Sequence, residues 1–352
     1  MSIRVTTLED RDQWDDHVER SPQGTVFHQF AALETFAAHS GSTLHPLIGY
    51  KGEEPVGLFP VFELHKGPIR FVFSPPHELH VPNLGPVLLG LESMKQRKRE
   101  RRHARFVEGC LEWLSQSVAP HYVSIRAGWR YTDVRPFKWQ GFDVQPSYTY
   151  VLSLPDDPET LLGRFSKSAR RHVRNNLDAE YAVEVGGPSA IEWIVERVND
   201  RYEETNEAAR ISTAFVTELY DRLPTGQVRP YVLRVDGETV TGVILLEHGD
   251  TAHSWMGGAK PSTDLPVNEL LEWHMMTDAM DRGVTTYEIV GADTPRLNEY
   301  KSKFGPDVRA FHGLSRSTPG LDRAVSVYRL TQERRSIVEN LVPSRSFVGN
   351  VR

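Results

Sequence analysis

The residues best suited to chemistry lie between His253 and Gly305. A strand-like run over 251–256 ends at Gly257 and Gly258, and a loop carrying Lys260 follows. Asn268 stands where it can cap the next helix, with Glu269 in the first turn and Gly283 closing it. Glycines, a loop and a helix start, in that order, can cradle phosphate, because free backbone N–H groups and the positive helix end face the ligand. Lys260 would add a cation. The next strand, 286–291, carries Glu288, and Asp293 follows at its C-terminal end, the edge beyond which open α/β sheets bind ligands. Either acid can serve as a general base or orient an amine nucleophile. Lys301 has the charge and reach to stabilise the oxyanion of an acyl transfer. Taken singly, these features also fit a glycine turn, a capping acid and a surface lysine.

The elements that must position them occur twice. Gly52 to Gly57 and Gly237 to Gly242 are turns between apolar runs, a hairpin signal. Helical periodicity follows over Phe106–Trp113 and Leu270–Met280, each leading into a strand, Tyr122–Ile125 or Thr286–Val290. The copies close on matching phrases, Trp139–Val144 and Lys303–Val308. A strand–turn–strand–helix–strand unit used twice implies two homologous α/β domains. From Gly57 to Gly141 is 84 residues and from Gly242 to Gly305 is 63, so the first copy carries 21 more. That surplus falls near 74–106, which ends in a basic run of Lys95, Arg97, Lys98, Arg99, Arg101, Arg102 and Arg105. Such a run is a solvated face or a contact for phosphate, from RNA, an anionic membrane or a nucleotide-linked substrate. The seam between copies is expected near 146–160, where Tyr148–Leu154 reads as a strand and a helix opens after Pro155 and runs through Arg174. The expected boundaries are 1–150, 151–316 and a C-terminal helix and tail over 317–352.

The 352 residues have room for two full cores. With 39% hydrophobic and 25% charged residues, the composition is that of a soluble globular protein. A net charge of −6 argues against a protein devoted to nucleic acid, and no DNA partner is expected. The single cysteine, Cys110, excludes an internal disulfide framework and lies at helical spacing with Phe106 and Trp113, so it reads as core. No apolar run approaches the ~20 residues of a membrane span. A cytoplasmic location is expected. His77 and His80 stand among three prolines that deny a zincin spacing, and no metal is expected. There is no Gly-x-Ser-x-Gly elbow, P-loop or dinucleotide fingerprint.

The chain resembles FemAB-like proteins of the GNAT acyltransferase superfamily. The resemblance rests on Thr25–Phe30 with its following helix, on Tyr148–Leu154 before a basic helix, on Gly257 through Trp273 with Gly283–Gly291, and on Tyr300–Gly305. It implies an α/β (α+β) fold of two tandem GNAT-like domains, mixed central sheets flanked by helices, with the site in the second. It implies an N-acyltransferase that moves an acyl group from an acyl-CoA thioester, or an aminoacyl group from charged tRNA, to a small-molecule or sugar-linked amine. Neither donor is a bound cofactor. By the same resemblance, Lys301 and Tyr300 hold the transferring carbonyl, and Arg170, Arg174 and Lys303 contact substrate. Glu288 stands where the family usually has Asp, the coenzyme A pyrophosphate loop is not recognisable, and no tryptophan or lysine follows the Phe30 phrase as the family has it. The donor therefore stays open, and a catalytically inactive precursor-binding module is the alternative from a different class.

Overall fold

The computed structural model describes residues 3–77, 79–204, 210–258, 263–318 and 320. The first copy contains β1 (Arg4–Thr7), α1 (Arg11–Glu19), α2 (Phe30–Ser40), β2 (Thr43–Lys51), β3 (Glu54–Lys66), β4 (Ile69–Ser74), β5 (Val87–Leu88), α3 (Gln96–Ser117), β6 (Tyr122–Ala127), α4 (Arg135–Trp139) and β7 (Asp143–Ser153). Two linking helices follow, α5 (Pro158–Arg164) and α6 (Lys167–Asn176). The second copy contains β8 (Ala182–Val185), α7 (Pro188–Glu204), α8 (Thr213–Arg222), β9 (Val228–Val235), β10 (Glu238–His248), β11 (Thr251–Gly257), α9 (Val267–Asp281), β12 (Thr286–Ile289), α10 (Pro295–Lys301) and β13 (Asp307–Ser317).

Local chemistry accounts for most of the boundaries. Asp10, Asp157, Ser166 and Ser212 each accept a backbone N–H at a helix start. Ser166 makes two helices of the one expected to run through Arg174. The basic run is not a separate loop but the opening turns of α3. Asn268 does not cap α9 as expected: Pro266 holds that position, and Asn268 sits in the first turn, where its Oδ1 accepts the Thr241 hydroxyl at 2.6 Å. Proline needs no N–H partner there, so the helix starts two residues early.

Among the described residues the strands join in one sheet, ordered β1-β2-β3-β4-β6-β13-β7-β12-β11-β10-β9-β8, with β5 beside β3. The two copies do not keep separate sheets. β7, the last strand of the first copy, pairs with β12 of the second, Leu152 opposite Tyr287. β13, the last strand of the second copy, pairs with β6 of the first, Leu314 opposite Ile125. The two exchanged strands then pair with each other, Tyr148 opposite Ala310. The boundary at 150 falls inside β7.

Three apolar cores support this sheet. One lies under α3, built on Phe106, Leu111 and Ile125, and Cys110 is part of it. A second lies under α9, built on Leu270, Met275, Tyr287 and Phe304. The third is shared by both copies: Phe36 of α2 meets Phe215 of α8 at 6.0 Å between ring centroids, with Phe27 and Trp255 beside them. Sheet and core thus bind the halves into one body.

Candidate functional site

β11 and β12 run parallel, paired from Thr251–Thr286 to Ser254–Ile289. Beyond that point they part. β11 stays with β10, Gly257 opposite Val243, while the chain after β12 follows β7, the Ala292 N–H donating to the Tyr148 carbonyl at 2.9 Å. Lys301, the last residue of α10, reaches the point of parting. Its ammonium donates to the Val290 carbonyl and, at 2.8 Å, to that of Gly291. An ammonium has three N–H donors, so these two bonds leave a third to aim at a ligand. Burial pulls the Lys301 ammonium down to about 8, against the opposing pull of the Glu272 carboxylate. Glu272, inside α9, accepts the Tyr287 hydroxyl at 2.9 Å, and burial pushes its carboxyl up to about 7.

A second group of polar residues sits one strand pair lower on β11 and β12. His253 and Glu288 are opposite one another, and the His253 Nδ1 is 2.8 Å from Glu288 Oε2. The other carboxylate oxygen accepts the Thr149 hydroxyl at 2.8 Å. A carboxylate so placed requires the proton on Nδ1, which leaves Nε2 with its lone pair. Nε2 is buried without a partner among the described residues. It lines a cavity of about 20 Å³, room for about one water, with Thr25, His28, Asn83, Arg130 and Thr251. That cavity shares Gln23, Gly24, Trp129, Arg130 and Tyr131 with a cleft of about 1210 Å³ between the halves. Burial also lowers the nearby His28 and His248 to about 4, so both are neutral at pH 7.

The remaining expected residues fall in several places. Tyr300 packs edge-on against Phe304 at 5.6 Å, and its hydroxyl is pushed well above the usual range by burial, with Glu272 and Glu269 adding to it. The Lys303 ammonium lies 5.0 Å from the Tyr300 ring centroid and 3.0 Å from Glu269. Asp293 is exposed and accepts the backbone N–H of Tyr148, which fastens the end of β12 to β7. Arg174 pairs with Glu159 on the surface, and Arg170 is half-buried on the same helix. The structure therefore brings Lys301, Tyr300 and Glu288 near the parting strands and leaves Asp293 and Arg174 at the surface. Lys260 lies outside the described residues.

Gly258 does not offer a free N–H group as a phosphate cradle would. The Gly258 N–H donates to the Gly242 carbonyl at 2.8 Å, and both glycine carbonyls accept Arg201 Nη1, at 3.0 and 3.2 Å. Gly257 is required for packing: a Cβ there would stand 2.3 Å from the Gly242 carbonyl oxygen, at φ +149°.

The corresponding opening in the first copy is filled. β4 and β6 also run parallel, but the surplus chain after β4 crosses between their ends. The Leu84 N–H donates to the Arg126 carbonyl at 2.8 Å, and the Gly85 N–H to Ser74 Oγ at 3.1 Å. Gly85 lies so close that a Cβ would be 2.9 Å from the Ala127 Cα. The surplus chain thus plugs the parting of the parallel strands in the first copy.

Residues 163–302, from α5 to the residue after Lys301, match the family described as an acetyltransferase (GNAT) domain. That match gives the second half of the chain the character of a GNAT acetyltransferase domain. Over nearly its whole length the chain is similar in fold to FemX. The FemX crystal structure aligns over 89% of this chain and 97% of its own, with a TM-score of 0.70 and 14% identity. L-PGS from Bacillus licheniformis aligns over 92% and 98%, with a TM-score of 0.52 and 11% identity. At such identities these likenesses show the fold. No curated protein matches the chain in sequence. Among the described residues no helix is long and apolar enough to cross a membrane.

Proposed function

We propose that this protein transfers an acyl group from an acyl-CoA thioester to the amine of a small or sugar-linked acceptor, at the parting of β11 and β12. The observation that carries this reading is the half-buried Lys301 ammonium, seated where the two strands separate, with one donor left over. In our reading the thioester enters between the strands with its carbonyl oxygen toward Lys301. The acceptor enters from the cleft between the halves. The amine nitrogen attacks the carbonyl carbon, and charge builds on the oxygen, where a preorganised donor acts in the transition state. His253 Nε2 takes the amine proton, Glu288 holding the ring in the required tautomer. The intermediate collapses with loss of the coenzyme A thiolate, which takes up a proton on release.

The plugged first copy supports one donor per chain. An aminoacyl donor carried on tRNA is the second reading, favoured by the exposed arginines of α6. A thermal-shift screen against acetyl-CoA, longer acyl-CoAs and bulk charged tRNA separates the two. A ligand that binds only the folded state adds about 2.7 kcal/mol of stability at 100 times its Kd. Stabilisation by an acyl-CoA, at one site per chain by calorimetry, with thiol release in the presence of an amine panel, is the expected result. Stabilisation by tRNA alone would replace the first reading with the second.

A further inference from the structure

The opening of α3 breaks a local rule. A helix N-terminus carries partial positive charge and favours acids. Yet the first turns of α3 present Lys95, Arg97, Lys98, Arg99 and Arg101 to solvent, with no acid in the first turn and no side-chain cap. Repulsion among these cations and with the helix end is unfavourable. Arg102, the next residue, is instead buried and paired with Glu54 at 2.7 Å. The exposed cations therefore call for a partner outside the chain.

α4 extends the same surface. Arg135 pairs with Glu100 of α3 at 2.8 Å, which holds the two helices side by side. Lys138 and Trp139 are exposed, and Trp139, at 62%, is the most exposed large apolar side chain among the described residues. The Arg135 guanidinium lies 5.7 Å from the centroid of the Trp139 ring. An indole beside a dense field of lysine and arginine suits the headgroup layer of an anionic bilayer, where the ring anchors and the cations meet phosphate. RNA is the other polyanion such a field attracts. A chain of net charge −6 is not built around nucleic acid, however, and a single exposed indole is a small stacking platform. The whole chain is acidic at −6, so the positive face is one-sided and orients the protein on a negative plane.

We infer that the α3–α4 face docks the protein on anionic lipid bilayers, with Trp139 as the interfacial anchor. Arg99, Glu100 and Arg135 also line the cleft between the halves. Docking by this face would hold the mouth of that cleft at the bilayer surface.

The full chain is mixed with vesicles of phosphatidylcholine alone or with added phosphatidylglycerol, and binding is read by co-sedimentation. Binding is expected only to the anionic vesicles, and it should fall steeply with added salt. The K95E/K98E/R101E variant should lose about tenfold or more in partition with a melting temperature equal to or above the wild type's, and W139A severalfold with an unchanged one. Lys301→Ala should bind vesicles as the wild type does, which separates docking from the catalytic reading. Equal binding to neutral vesicles, no binding, or an unaffected charge-reversal variant would overturn the inference. So would binding of bulk tRNA without partition into anionic vesicles, which would assign the face to RNA.

Discussion

Changing Lys301 tests the proposed chemistry most directly. With the ammonium at about 8, the charged form outnumbers the neutral by about ten to one at pH 7 and is outnumbered tenfold at pH 9. If the charged form stabilises the oxyanion, the rate must fall on the basic side with an apparent pKa near 8. Removing one such donor typically costs about 10²–10³ in turnover, about 2.7–4 kcal/mol. Lys301→Ala should show that loss and also lose the basic limb, while any limb set by the acceptor amine remains. Lys301→Arg keeps a charge that does not titrate below about pH 12, so its residual activity should extend to higher pH. Thiol release from acyl-CoA between pH 6 and 10, with one acceptor amine of known pKa, gives all three profiles. Melting curves confirm that each variant folds. A wild-type rate that climbs through pH 8 and is lost in Lys301→Ala would make Lys301 a base and refute the argument. Wild-type turnover in Lys301→Ala would remove it from the chemistry altogether.

Other consequences can be checked independently. His253→Gln should lower turnover by about 10²-fold, and Glu288→Gln, which leaves the His253 ring without its carboxylate partner, should lower it less. Phe36→Ala empties the centre of the core shared by the halves and should cost about 3–5 kcal/mol in denaturant unfolding, with both halves melting together. His28 and His248 are held neutral in the fold, so the unfolded chain binds more protons below its own pKa of 6.5. Their contribution is fully present above that value and is lost as pH falls toward about 4. By pH 5 each accounts for a loss of about 2 kcal/mol, and His248→Gln should flatten the acid dependence by about half of their joint share.

Much of the fold was legible because duplication repeats its local signals. The turns at Gly52 and Gly237, the apolar faces of α3 and α9, and the closing phrases at Phe142 and Phe304 all mark the same unit twice. What could not be read was which strand pairs with which. β7 and β13 carry similar patterns, and either could complete its own sheet; the register that joins Leu314 to Ile125 and Leu152 to Tyr287 is set by tertiary packing. Lys301 was recognisable from its phrase, but His253 was not. Its role depends on the parallel register that sets it opposite Glu288, which no local spacing encodes. Glu272 left a clearer trace, an acid among Leu270, Leu271 and Trp273 in a helix apolar on nearly every side. A charge in such a place must be paired or neutral, and that reasoning would have found it. Asn268 misled because a good capping residue one turn from proline yields to the proline.

The exchange of β7 and β13 has a consequence for how the protein is made. During synthesis the first half emerges with β6 exposed along one edge, and the strand that covers it, β13, is the last of the sheet to leave the ribosome. Until residue 317 has emerged, neither half can close its sheet, and an open edge invites pairing with other chains. Separate expression of the halves should therefore yield two aggregation-prone fragments. Mixed during refolding, they have a route to a soluble complex, because each carries the strand the other lacks.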